Sequence, residues 1–108
     1  MRVLYVEDNP ADVKLVQLGL KRRSPQTRLD TVDSVAEARE LLSGDPPYDV
    51  ALVDMHLPAG TGLDLLAEVR AHGWPVAVVI LTGLGDEETA VGALKAGADD
   101  YVVKREDY

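Results

Sequence analysis

The chain has 108 residues, 46% of them hydrophobic, which fits one domain around one core. Its formal net charge of −8 argues against nucleic acid or an anionic membrane as a partner of this segment, and no apolar run approaches the ~20 residues of a membrane span. The absence of cysteine excludes disulfides and thiolate sites and is compatible with a reducing cytoplasm, the location we expect.

The N-terminus enters strand-like sequence at once, Arg2 to Val6 (RVLYV), and lacks the apolar core of a signal peptide. Glu7, Asp8, Asn9 and Pro10 follow. Asn9 suits an N-cap and Pro10 the first turn of a helix that runs to about Arg23, with Val13, Val16 and Leu20 on its inner face. Thr27 to Val32 reads as a second, weaker strand. Ser34 and Glu37 form a capping box for a short helix that should bury Val35, Ala38, Leu41 and Leu42. Val50 to Asp54 is a short Val- and Leu-rich run, suited to a strand buried on both faces, and it ends on a carboxylate.

Pro58, Gly60 and Gly62 force a turn after that strand. Leu63 to His72 is helical, with Leu63, Leu66, Ala67 and Val69 or Arg70 around its inner side, and Gly73 stops it. Val76 to Leu81 is the most hydrophobic strand and ends on Thr82 and Gly83. Asp86 can cap a helix from Glu87 to Ala96, closed by Gly97, and Asp100 to Val103 is a fifth strand ending on Lys104. Strands and helices alternate without a hairpin signal, so the fold class is α/β, a five-stranded parallel sheet with helices on both faces. An alternating fold would want one more helix after the fifth strand, so we expect the fifth helix to be truncated. His72 reads as a helix-end residue with no part in a site.

In a parallel sheet the C-terminal ends of all strands share one edge. Glu7 and Asp8, Asp54, Thr82 and Lys104 therefore converge, although they are spread over nearly the whole chain. Each alone has a plain structural role: helix-start charge, turn residue, solvated lysine. Chance convergence of four strand ends is a poor explanation. Three crowded carboxylates repel unless a cation sits among them, and oxygen ligands without Cys or a His imidazole point to Mg2+. Mg2+ prefers one or two carboxylates plus a phosphate oxygen, so the site anticipates a phosphoryl group, with Lys104 as a second positive charge and Thr82 as a donor.

These residues resemble the receiver domain of two-component response regulators. The resemblance runs from VLYVEDNP to DYVVK and rests on Glu7-Asp8, on Asp54, Pro58 and Gly62, on Leu81-Thr82-Gly83, on ALKAGADDY from Ala93 to Tyr101, and on Lys104. It implies the flavodoxin-like strand order 2-1-3-4-5. It further implies that Asp54 accepts a phosphoryl group from a histidine kinase or a histidine phosphotransfer protein. Asp8, Asp54 and the backbone carbonyl of His56 would bind Mg2+, with Glu7 acting mainly through a water. Thr82 and Tyr101 would be the switch pair, and His56, Gly83 and Leu84 would tune the phosphoryl lifetime.

Enzymatic activity would be limited to self-phosphorylation and autodephosphorylation, and an output domain or partner protein outside this segment would read the signal. Two departures stand out: Arg105 follows Lys104 where many receivers have Pro, and Gly83 replaces the more common Ala. The enzyme alternative is a Mg2+-dependent phosphatase with an Asp nucleophile, but Met55 and His56 do not supply the second acid such enzymes generally want. The interaction alternative is a receiver-like module that docks partners without phosphorylation, against which the intact acidic set, Thr82 and Lys104 argue.

Overall fold

Apolar strands that end on polar residues dictate the layering. The computed structural model describes residues 1–45, 47–55, 57, 62–83 and 87–103. Its strands are β1 (Arg2–Val6), β2 (Arg28–Val32), β3 (Val50–Asp54), β4 (Ala77–Thr82) and β5 (Asp100–Val103). Between them lie α1 (Pro10–Arg23), α2 (Val35–Leu42), α3 (Gly62–His72) and α4 (Glu87–Lys95). All strand pairs are parallel and the order is β2-β1-β3-β4-β5, the order implied by the family resemblance. Four helices are present among the described residues.

The main core lies on one face of the sheet. Leu4, Val6, Ala51, Val53, Val78 and Ile80 point there and meet Val35, Ala38 and Leu42 of α2, Leu65, Leu66 and Val69 of α3, and Ala93 of α4. Two helix faces are rotated from the sequence reading. In α2, Leu41 is 40% exposed, because the inward stripe through Val35, Ala38 and Leu42 leaves it on the shoulder. In α3 the inward stripe is Gly62, Leu65, Leu66 and Val69; Ala67 lies opposite it and is exposed, and Leu63 is half-buried. Element ends differ by about one residue, as hydrogen-bonded boundaries usually do: β2 begins at Arg28, β4 at Ala77, and α4 closes at Lys95.

The opposite face carries α1. Asn9 caps it, its side chain accepting from the Ala11 amide at 2.9 Å, and Pro10 occupies the first turn. No residue of α1 is fully buried: Val13, Val16 and Leu20 are half-buried, short of the burial the helical spacing suggested. The reason is geometric. Beside α1 an apolar groove of about 210 Å³ runs over Leu52, Leu81 and Val102, and among the described residues no helix covers it.

Tertiary contacts also fasten the loop that enters β5. Arg70 of α3 donates to the Gly97 carbonyl at 2.9 and 2.8 Å and to Asp99 at 2.8 Å, while Asp99 accepts the Val78 amide at 2.7 Å. The Val78 amide, and then Arg70, hold the Asp99 carboxyl below the usual carboxylate range against a burial cost. Gly97 sits at φ 111°, a conformation open to glycine and strained for L side chains.

Gly62 is needed for a different reason, close approach. A Cβ there would lie 2.9 Å from the Asp54 carbonyl oxygen and 3.2 Å from Val53 Cγ1, so only glycine lets α3 start against the end of β3. Gly62→Ala should therefore lower stability by about 1–3 kcal/mol, the usual cost of overpacking. Urea unfolding should show a lower midpoint at unchanged slope; an unchanged midpoint would mean the helix start can move away freely.

Candidate functional site

Three strand ends build the site. β1 delivers Glu7 and Asp8, and the Glu7 amide extends the ladder by donating to the Val32 carbonyl at 3.0 Å. β3 delivers Asp54, whose successor Met55 donates to the Leu81 carbonyl at 3.0 Å and so anchors the turn to β4. β4 delivers Thr82, one residue beyond Leu81, the pairing partner of Asp54. Side chains alternate along a strand, and Tyr5 pairs with Leu52, so Glu7 and Asp54 follow two residues later on a shared face.

Burial sharpens the electrostatics. Glu7 is 2% exposed and Asp54 7%, whereas Asp8 is open to solvent. One carboxylate oxygen from each of the three lies within 4.8 Å of the others. At that separation two unit charges repel by about 1 kcal/mol in water and several-fold more where water is displaced. The N-terminus of α1, which starts directly after Asn9, offers partial compensation through its dipole. A divalent cation offers far more. The donor set consists of hard carboxylate oxygens and fits Mg2+, with both buried and solvent-facing ligands so that bound waters can remain.

The Glu7 side chain accepts the Asp8 amide at 3.1 Å on Oε2 and the Tyr5 hydroxyl at 3.3 Å on Oε1. Beside Glu7 and Asp8 an acidic cleft of about 410 Å³ opens toward Asp33 and Glu37. Thr82 is 1% exposed, and Tyr101 is half-buried against the core. Gly83 is half-buried at the exit of β4.

Glu7, Asp8 and Asp54 are thus brought together as the sequence suggests, with Thr82 on the neighbouring strand end. Lys104, His56, Leu84 and the Asp86 cap lie outside the described residues. His72 is at the end of α3, its Nδ1 2.9 Å from the Glu68 carbonyl and its ring stacked on Trp74. Sequence reasoning missed Tyr5. The available signal was a lone phenol inside an aliphatic buried strand, since a buried tyrosine hydroxyl needs a partner.

Comparison with known proteins agrees with this geometry. Residues 3–108 match the family described as the response regulator receiver domain. The chain is 40% identical over 103 residues to the response regulator protein PilR of Pseudomonas aeruginosa, covering 95% of this chain and 22% of that protein. It spans between 22% and 56% of the length of the curated relatives it matches. The Mn2+-bound form of response regulator Rcp1 superposes with a TM-score of 0.84 at 27% identity, over 97% of this chain and 81% of that one. The phosphorylated cyanobacterial phytochrome response regulator RcpA superposes with a TM-score of 0.86 at 25% identity, over 98% and 81%.

The crowding itself is testable without any ligand. Asp8→Asn keeps the side-chain shape and removes one of three like charges, so the metal-free protein should become more stable by about 1 kcal/mol, a rise of roughly 4–8 °C in melting temperature at low salt. A melting temperature that stays level or falls would show that the three carboxylates do not repel in the folded state.

Proposed function

The chain belongs to the response regulator receiver domain family of two-component systems, and from that premise we propose that it accepts a phosphoryl group on Asp54 with Mg2+ as cofactor. One observation carries the reading: the carboxylate oxygens of Glu7, Asp8 and Asp54, from two strand ends 46 to 47 residues apart in sequence, lie within 4.8 Å of one another. Receiver domains are in general signalling domains and not enzymes that turn over a substrate. The activity proposed here is accordingly limited to self-phosphorylation and hydrolysis of the resulting acyl phosphate.

The Asp54 carboxylate attacks phosphorus of a phosphohistidine on a histidine kinase or histidine phosphotransfer protein. A P–O bond forms, the P–N bond breaks, and the imidazole leaves with its electron pair. Asp8 and Asp54, with the backbone carbonyl of His56, would hold Mg2+, and Glu7 would act through a bound water. When bound, Mg2+ supplies positive charge to the oxygens of the transferring group. Glu7 and Asp8 also keep that end of the sheet hydrophilic beside an otherwise apolar core. Lys104 is assigned the second positive charge and Thr82 a hydrogen bond to a phosphoryl oxygen.

Buried Thr82 and half-buried Tyr101 are the proposed switch: drawing the hydroxyl toward the phosphoryl group moves the segment after β4, and the Tyr101 ring follows. His56, Gly83 and Leu84 are assigned to the lifetime of the acyl phosphate, as the family resemblance implies. An output domain or partner protein outside this segment would read the switch; nucleic acid and membrane are not proposed partners of a domain with net charge −8. No described helix is long and apolar enough to cross a membrane, and the cytoplasm is the proposed location.

Incubation with a small acyl-phosphate donor and Mg2+ should add one phosphoryl group by intact mass. Asp54→Asn and omission of Mg2+ should each abolish the addition, because an amide is a far poorer nucleophile and the charge on the donor is no longer offset. Modification that survives in Asp54→Asn, or that proceeds equally without a divalent cation, would overturn the assignment.

A further inference from the structure

Tyr5 is the only aromatic residue in β1, is fully buried, and lies on the same face as Glu7 and Asp54. It is the largest fully buried side chain among the described residues, and its hydroxyl has a specific address. It donates to Glu7 Oε1 at 3.3 Å, while the Asp8 amide donates to Oε2 at 3.1 Å. Both oxygens of the Glu7 carboxylate thereby accept a hydrogen bond, one from β1 and one from the residue after Glu7, at 2% exposure.

We propose that Tyr5 is a positioning residue for the divalent cation, acting through Glu7: the phenol fixes the rotation of the Glu7 carboxylate so that it faces Asp8 and Asp54. This rests on the cation reading given above. A distance of 3.3 Å is long for an O–H···O bond. The contact can therefore tighten when a cation draws the three acids together, so the hydroxyl should respond to the cation. Groups that orient metal-site carboxylates from behind typically change metal affinity by about 10–100-fold when removed. With Glu7 acting through a water, the lower end of that range applies.

The test is a set of four proteins: wild type, Tyr5→Phe, Glu7→Gln and the double variant. Mg2+ affinity is read from the rise of melting temperature with Mg2+ concentration, and the tyrosine ultraviolet difference spectrum is recorded on adding Mg2+. Tyr5→Phe should bind Mg2+ roughly 10-fold more weakly and should lose part of the Mg2+-induced tyrosine signal. In the Glu7→Gln background the same change should alter affinity by no more than about twofold, because the effect passes through Glu7. A purely structural Tyr5 would lower the metal-free melting temperature and leave the affinity ratio at one, which overturns the inference while the cation reading stands. Equal losses in both backgrounds would overturn it too. If wild type shows no response to Mg2+, the cation reading falls and this inference with it.

Discussion

The convergence of Glu7, Asp8 and Asp54 within 4.8 Å is the constraint that the rest of the structure accommodates. Two of the three are nearly fully buried, and a folded protein tolerates such an arrangement only where surrounding structure enforces it. That enforcement comes from the sheet. β1 and β3 are adjacent and parallel, so their C-terminal ends cannot separate without breaking the ladder between Val3–Val50 and Val6–Val53. A cation bound among the three carboxylates would be held by both strand ends at once.

Packing around the acids follows from that arrangement. Gly62 brings α3 against the carbonyl of Asp54. On the other side Asn9 and Pro10 start α1 immediately after Asp8, so positive backbone dipole meets negative side chains. Farther away, Arg70 ties α3 to the loop before β5 through Gly97 and Asp99. The loop that enters β5 is thus fastened to α3.

Much of this was legible in the sequence because strand ends and turn residues are local signals. The short run RVLYV leads directly into Glu7, VALVD and AVVILT end on Asp54 and Thr82, and Pro10, Gly73 and Gly97 mark helix boundaries. Strand order was a different matter: alternation shows that the sheet is parallel, but only the family resemblance implied 2-1-3-4-5, now observed. Helix faces were read less well. Leu41 lies on the shoulder of the α2 stripe and Ala67 opposite the α3 stripe, because a short helix with several apolar residues admits more than one rotation. The burial of α1 depends on what covers the groove over Leu52, Leu81 and Val102, which spacing within α1 cannot reveal. Tyr5 escaped notice because its role lies in a hydroxyl whose partner is set by face parity two residues on.

The central claim is that Glu7, Asp8 and Asp54 form a single cation site. A Mg2+ titration of the isotopically labelled chain, followed by amide proton–nitrogen correlation spectra, tests it most directly. The account predicts saturable shifts at the ends of β1 and β3, all following one binding curve. Ends that titrate along separate curves, or that do not respond at millimolar Mg2+, would contradict it.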